Sequence, residues 1–215
     1  IALTAAKVLH VFAGRGSFAN LSSLTDGKES VPFTVTNKGG GTDADAPSLL
    51  LDFGREVSGR VVVESASPMD ATVSIAYGES EIEAMATGLT SEQQFGNDLG
   101  TNVLDVPANG GARGPKSGFR YVRVRFLRGA AVSAFKSIRV EGIYYPVRYV
   151  GSFESSDALL NRIWESGAYT AHLCMQDGVW DAVKRDRGRW AGDLDVEGRV
   201  ISTVFGDRAE MEETL

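Results

Sequence analysis

Residues 177–195 hold the densest group of reactive side chains in the sequence. These nineteen positions contain five aspartates, four lysines or arginines and two tryptophans. Hydrolysis of a glycoside needs a carboxylic acid to protonate the leaving oxygen and a carboxylate to activate water. Polar groups for the sugar hydroxyls and an aromatic surface for the sugar face complete such a site. A solvated loop of surface ion pairs has the same composition, so composition alone leaves both interpretations open.

The order of residues within this segment favours catalysis. Asp181 is followed by Arg185, Asp186 and Arg187, and then by a Trp-Ala-Gly-Asp sequence at 190–193. This order resembles the signature of glycoside hydrolase family 78, in which an Asp precedes the general acid, arginines lie beside the acid, and Trp-x-Gly-Asp follows. Other segments extend the resemblance over roughly residues 48–215: 151–165 are similar to the entry into the family's (α/α)6 barrel, and 51–60 and 118–124 to the sandwich before it.

The resemblance implies a role for each matching side chain in hydrolysing terminal α-L-rhamnosyl or related linkages by acid/base inversion. Asp186 takes the position of the general acid, while Asp181 and Asp193 take those of acidic residues that hold the sugar hydroxyls. Trp190 would form an aromatic wall, and Arg185 would contact the substrate. The family's usual general acid is Glu, one methylene longer than Asp186. The shorter side chain leaves three alternatives. The backbone lies closer to the bond that is cleaved, the protein acts on a different sugar or linkage, or acid catalysis is impaired.

The arginines beside Asp186 pose an electrostatic problem. A general acid that works near neutral pH needs a raised pKa, whereas a neighbouring positive charge lowers the pKa of a carboxyl group. Our hypothesis is that Arg185 and Arg187 turn toward Asp181, Asp193 or another carboxylate and leave Asp186 among like charges.

The general base of the family lies late in the barrel, so the resemblance places it outside these 215 residues. We expect this chain alone to be inactive for that reason. Four glutamates follow the motif on predicted helices, and we expect them to be solvated or capping residues: Glu197, Glu210, Glu212 and Glu213.

The residue pattern predicts two kinds of structure that meet near Pro146. Short β-rich runs separated by Gly, Pro, Asn and Asp extend from about residue 31 to 145, and the two clearest alternate apolar and polar residues at 119–126 and 137–145. Antiparallel strands without helices between them indicate a β-sandwich, jelly-roll-like, over residues 1–146. The polar stretch 79–97 is predicted to be a long loop with a short helix.

After Gly151 the apolar period becomes that of a helix, with N-cap candidates at 155–157. A second helix is predicted from just after Gly192 to about Phe205, and a third from Arg208. Three helices with wide apolar faces do not close a core by themselves. Residues 147–215 are thus predicted to be the start of an incomplete (α/α)6 barrel, with the remainder of that barrel as partner.

Composition narrows the remaining classes of function. The net charge of −6 disfavours nucleic acid, which requires a basic surface. A single cysteine excludes an intrachain disulfide and a cysteine-based zinc cluster. We expect no membrane partner, because the sequence has no run of about 18 apolar residues. We also expect no metal and no cofactor, and a carbohydrate or rhamnosylated glycoside as the substrate. The compartment stays undecided.

One alternative belongs to another class of function. The sandwich is then a non-catalytic carbohydrate-binding or structural module, and the helical segment is only its partner surface. Sugar binding by the isolated sandwich would favour this interpretation over an enzyme.

Overall fold

A computed structural model describes residues 1–27, 31–39, 42–86 and 101–215 of the chain. They form two compact units, one that runs to Gly142 and a second that contains Ile143–Leu215. The predicted division at residues 146 and 147 stays a prediction. No helix in the described part of the chain combines the length and apolar character needed to cross a membrane.

The described residues of the first unit form antiparallel strands, one short α-helix and two short 3-10 helices at Leu21–Leu24 and Asp43–Asp45. The predicted short helix within 79–97 is present as α1, and residues 87–97 of that predicted loop lie outside the described residues. In chain order the elements are β1 (Ala2–Thr4), β2 (Lys7–Phe12), β3 (Gly16–Ala19), β4 (Phe33–Asn37), β5 (Ser48–Ser65), β6 (Ala71–Gly78), α1 (Glu81–Met85), β7 (Thr101–Val106), β8 (Gly111–Arg113), β9 (Ser117–Arg128) and β10 (Val132–Gly142).

The long strand β5 lies in the middle of the ten-stranded sheet that the described strands form. Its first part pairs with β2 and β9, and its last part with β8 and β10. The register shifts between Asp52 and Val57, where Gly54 has a φ of 84° and its N–H donates to the Asp52 carboxylate at 2.7 Å. Residues 48–53 and 59–64 each have the composition of a short strand, and the sequence alone suggests two strands. They form one strand because this glycine-containing bulge bends the chain without ending the pairing.

The core of the sandwich follows the predicted alternation of β9. Phe119, Val122, Val124 and Phe126 are buried, while the arginines between them lie on the other face. The Phe119 ring stacks on Tyr77 with centroids 4.3 Å apart. Burial of side chains of this size contributes about 1.5–3 kcal/mol each, so the two inner faces hold the layers together. The predicted β-sandwich followed by helices is confirmed.

The second unit contains the helices α2 (Ala158–Cys174), α3 (Ala191–Val204) and α4 (Ala209–Thr214). Asp157 caps α2, since its carboxylate accepts the N–H of Leu159 at 2.8 Å. A positive φ at Gly206 separates α3 from α4, as the sequence predicted. A small core joins the helices and the loop between α2 and α3: Ala168, Ala171, Met175, Val179, Ile201, Val204 and Phe205.

Several apolar side chains of α2 and α3 remain uncovered in this unit. Leu159, Leu160 and Ile163 on α2 and Val196 on α3 are each exposed over 45–65% of their surface. Apolar helix residues at such spacing usually face another helix, so these side chains present a surface suited to further helical packing.

Candidate active site

The predicted reactive residues lie mainly on the segment that connects α2 and α3, residues 175–190, here called the α2–α3 loop. Its first turn is closed by a bridge between Met175 and Val179 and by donation of the Trp180 N–H to the carbonyl oxygen of Cys174 at 2.9 Å. Its later part is closed at Asp181 and Gly188. Hydrogen bonds between near neighbours thus fix both parts of the loop.

Asp181 forms a two-point contact with Gly188. Its backbone N–H donates to the Gly188 carbonyl oxygen at 3.0 Å, and its carboxylate accepts the Gly188 N–H at 2.7 Å. The side chain is half-buried. Asp181 therefore sets the base of the turn that carries Asp186, and one of its oxygens already has a backbone partner.

Asp186 lies at an exposed turn inside this closure. Asp186 and Arg187 have φ angles of 60° and 55°, a left-handed conformation that is unfavourable for a side chain with a Cβ. The turn is held by donation of the Arg187 N–H to the Arg185 carbonyl oxygen at 2.7 Å and of its Nε to the Lys184 carbonyl oxygen at 3.2 Å. Strained backbone of this kind is concentrated at functional sites.

Arg185 is exposed, and Val183 and Lys184 before it are buried; Lys184 is only 2% exposed. The loop therefore places Asp186 toward solvent from a firmly packed segment. Arg187 acts within the loop by its contact with the Lys184 carbonyl oxygen. Our hypothesis that both arginines turn toward other carboxylates stays a prediction.

Trp190 precedes α3 and is 58% exposed. The indole lies directly over Gly188, so that a Cβ at position 188 would overlap it. Trp190 occupies the N-cap position without making a side-chain capping bond. A large aromatic surface is therefore displayed beside the turn of Asp186, and the helix does not use its side chain as a cap.

Asp193, Glu197 and Asp181 form an acidic cluster around Cys174. Asp193 lies in the first turn of α3, where the helix dipole favours negative charge. Burial, opposed by a hydrogen bond from Cys174 and reinforced by Asp193 and Asp181, raises the pKa of Glu197 to about 7. Burial, with the same carboxylates, raises the pKa of the Cys174 thiol. The structure thus brings together two predicted site residues with a third carboxyl group.

The expectation that Glu197 and Glu210 are solvated or capping residues is wrong. Glu197 is partly buried against Cys174, and Glu210 is 4% exposed and accepts the Gly178 N–H at 2.7 Å. The spacing of Glu197 four residues after Asp193 places the two on one face of α3, a signal that the sequence contains. Glu212 and Glu213 are exposed.

The described residues contain no group of three or more His, Cys, Asp or Glu side chains that could hold a metal ion. The chemistry that the site offers is that of carboxyl groups with different environments: an exposed Asp186, a half-buried Asp181 and a Glu197 with a raised pKa. Such differences are what acid/base catalysis requires.

Comparison with known proteins shows what the second unit is similar to. Residues 148–215 match the family model described as the bacterial alpha-L-rhamnosidase 6 hairpin glycosidase domain. No curated protein matches the chain.

Solved structures resemble a larger part of the chain. A GH78 family rhamnosidase of Bacillus sp. GL1 is 29% identical with a TM-score of 0.67, over 87% of this chain and 19% of that one. A rhamnosidase from Klebsiella oxytoca with rhamnose bound is 21% identical with a TM-score of 0.66, over 99% of this chain and 42% of that one. The chain thus spans less than half the length of either protein.

Proposed function

We propose that this chain is part of a glycoside hydrolase of the family 78 rhamnosidase type and that it supplies the general acid for hydrolysis of terminal α-L-rhamnosyl or related linkages. Asp186 is the acid, and the reaction inverts the anomeric carbon. The general base belongs to a part of the protein outside these 215 residues.

The observation that carries this proposal is the presentation of Asp186. A packed loop, closed at Asp181 and Gly188, holds the Asp186 backbone in an unfavourable left-handed conformation at an exposed turn, with the Trp190 indole beside that turn. A solvated loop of ion pairs needs neither the closure nor the strain. A carboxyl group that must meet a substrate atom benefits from both, because catalysis depends on exact placement.

In the proposed reaction Asp186 donates its proton to the glycosidic oxygen as the bond to the anomeric carbon breaks. A water molecule attacks that carbon from the opposite face and gives its proton to the base. The two carboxyl groups of an inverting enzyme lie about 6.5–9.5 Å apart, which leaves room for this water. Asp181, Asp193 and Arg185 are proposed to bind sugar hydroxyls, and Trp190 to pack on the sugar face.

Glu210 and Glu197, the two glutamates after the motif that are not exposed, do not suit the role of the general base. Glu210 is buried and its carboxylate binds the Gly178 N–H, which leaves no access for an attacking water. Glu197 is partly buried beside Cys174, and this burial restricts the approach of an attacking water. Both observations support placing the base elsewhere in the protein.

The partner of the helical unit is proposed to be the remainder of its own barrel. The exposed apolar side chains of α2 and α3 and the family of residues 148–215 both support this. Helices of a barrel pack their apolar faces against neighbouring helices, and the row of Leu159, Leu160 and Ile163 offers such a face.

The test is hydrolysis of a panel of aryl glycosides, headed by the α-L-rhamnoside, by the full-length protein. Asp186→Asn keeps the shape of the side chain but has no acidic proton, and we expect it to lower kcat by about 10²–10⁴. Asp195→Asn is the matched control, because Asp195 is exposed and pairs with Arg199 on its own helix. Asp186→Glu restores the side-chain length of the family's usual general acid and tests whether the shorter Asp186 impairs proton donation.

Proton NMR of the first sugar released reports the anomer and thus inversion. An Asp186→Asn variant with unchanged activity on every cleaved glycoside would remove Asp186 from the role of acid. A wild-type protein that cleaves no glycoside in the panel, while its sandwich binds sugar, would support the non-catalytic alternative.

A further inference from the structure

The short helix α4 contacts the first part of the α2–α3 loop through Glu210. This side chain is 4% exposed, and its Oε1 accepts the backbone N–H of Gly178 at 2.7 Å. Burial raises the pKa of Glu210, an effect opposed by the bond from Gly178. Burial of a carboxyl group is costly unless hydrogen bonds compensate it. The hydrogen bond from Gly178 compensates part of this cost, so the contact between α4 and the loop depends on it as well as on packing.

Two further contacts extend the attachment along α4. The hydroxyl of Thr214 accepts the N–H of Val179 at 2.8 Å and donates to the Glu210 carbonyl oxygen at 2.7 Å. Successive backbone N–H groups of the loop, those of Gly178 and Val179, are therefore both satisfied by side chains of α4. Glu210 and Thr214 lie four residues apart, on one face of the helix.

The last part of the loop is tied to the same place by Arg189. Its guanidinium donates to the carbonyl oxygen of Asp177, lies 3.6 Å from the Asp177 carboxylate, and donates to the carbonyl oxygen of Glu213 at 3.3 Å. Gly178 has a φ of 139°, and a Cβ there would overlap the Arg189 side chain. Both ends of the segment that carries Asp186 thus meet at α4.

We propose that Glu210, assisted by Thr214, is a positioning residue that holds the α2–α3 loop so that Asp186 reaches the glycosidic oxygen. The inference rests on the proposed role of Asp186 as general acid. Asp186 lies three residues before Arg189, inside the anchored segment. A loop held at both ends loses little conformational freedom when the substrate binds, whereas a loop released at Gly178 must be ordered at each turnover.

The experiment separates positioning of the acid from general stability by varying the leaving group. In the full-length enzyme, Glu210→Ala, Glu210→Gln and Glu212→Ala would be compared on 2,4-dinitrophenyl and methyl α-L-rhamnosides. Dinitrophenolate departs without protonation, while methanol requires a proton from the acid. Glu212 is exposed on the same helix and serves as the matched control.

We expect Glu210→Ala to lower kcat on the methyl glycoside at least about tenfold more than on the dinitrophenyl glycoside. Glu210→Gln should restore most of this ratio, because its amide oxygen accepts the same Gly178 N–H, and Glu212→Ala should leave both rates unchanged. An equal loss on both substrates, or no loss in a folded Glu210→Ala protein, would overturn the inference. If that variant does not fold, Thr214→Val replaces it, with Thr214→Ser as the conservative rescue.

Amide hydrogen exchange of residues 177–189 in the same variants gives a readout that does not need activity. Faster exchange in Glu210→Ala but not in Glu212→Ala would support the attachment even if the wild-type protein cleaves no rhamnoside, in which case only the proposed function fails. Unchanged exchange would contradict the attachment itself, whatever the wild-type activity.

Discussion

The carboxyl group of Glu197 on α3 lies beside the thiol of Cys174 at the end of α2, and its buried Oε2 has no hydrogen-bond partner among the described residues. Burial, together with the nearby Asp193 and Asp181, raises the pKa of Glu197 from 4.5 to about 7. The protein therefore carries a carboxyl group that titrates near neutral pH beneath the proposed site. Its ionisation places a third negative charge among carboxylates that we propose to bind sugar.

This pKa predicts how stability depends on pH. Between pH 4.5 and about 7 the folded state holds a proton at Glu197 that the unfolded state has lost. The free energy of unfolding therefore decreases as pH rises through this range, and the loss is complete above it. Glu197→Gln removes the titration, so we expect the variant to be more stable than wild type near pH 8 by on the order of 1 kcal/mol, after allowance for partial exposure.

Urea unfolding near pH 4, 6 and 8 measures this difference, with Asp195→Asn as a control that should show no such trend. A Glu197→Gln effect that is the same at all three pH values would show that burial does not raise the Glu197 pKa.

A side chain at Gly178 should be far more damaging than one at another glycine of the same unit. Gly178 has a positive φ and lies against Arg189, so Gly178→Ala combines backbone strain with a steric clash, and we expect a loss of about 1–3 kcal/mol. Gly167 lies within α2 with open space around its Cβ position, so Gly167→Ala should gain up to about 1 kcal/mol. Thermal unfolding of both variants tests the contrast, and equal shifts in Tm would contradict it.

Loss of the Trp190 indole should affect substrate binding more than folding. Trp190 is exposed and makes no capping bond, so Trp190→Ala should change the free energy of unfolding by less than about 1 kcal/mol. If the indole packs on the sugar face, KM should rise about tenfold or more, since an aromatic contact of this kind contributes on the order of 1–2 kcal/mol. Trp190→Phe should retain part of the effect. Steady-state kinetics decides, and an unchanged KM would remove Trp190 from the sugar-binding surface.

Within the sandwich, the buried ion pair of Asp52 should matter more than an exposed one. Arg120 donates to both carboxylate oxygens of Asp52 at 2.8 and 3.0 Å and, as the largest cause, lowers the Asp52 pKa. Asp52→Asn should cost about 1–3 kcal/mol, less than a fully buried pair because the Arg120 side chain is 38% exposed.

The pair of Glu141 with Arg113 is more exposed at both ends, and Glu141→Gln should cost less than about 0.5 kcal/mol. Because the folded-state pKa of Asp52 is lowered, the contribution of Asp52 is present above its ordinary pKa and disappears as pH decreases through the lowered value. Equal midpoints of urea unfolding for the two variants would contradict this ranking.

The sequence predicted the elements whose residues alternate locally and missed those whose partners are distant. The nearly strict alternation of apolar residues and arginines in β9 and the Asp157 cap of α2 are local signals, and both elements lie where they were predicted. β2 and β3 lack such alternation, and they exist because β5 and β4 offer them pairing edges. Gly54 in β5 is a residue typical of turns, so the sequence suggests that the strand ends there, although the pairing continues on both sides of it.

The same limit applies to the candidate site. The spacing of Asp181, Asp186, Trp190 and Asp193 is visible in the sequence, and the structure places all four on the α2–α3 loop or the start of α3. The burial of Glu210 depends on Gly178, 32 residues earlier. No local sequence pattern distinguishes a helical glutamate that accepts a distant backbone N–H from one that is exposed. The contact of Glu210 with the loop can therefore be recognised only in the folded structure.

The pairing of β5 has a consequence for the order of events during synthesis. β5 pairs with residues 7–12 before it and with strands up to Gly142 after it, and the first strand, Ala2–Thr4, pairs with Arg139–Glu141 of β10. Contacts so distant along the chain form slowly. We therefore expect the sandwich to remain unclosed on the ribosome until β10 has emerged. During that time the unpaired backbone edge of β5 and its apolar side chains stay accessible to other chains, and chaperone binding would protect them most.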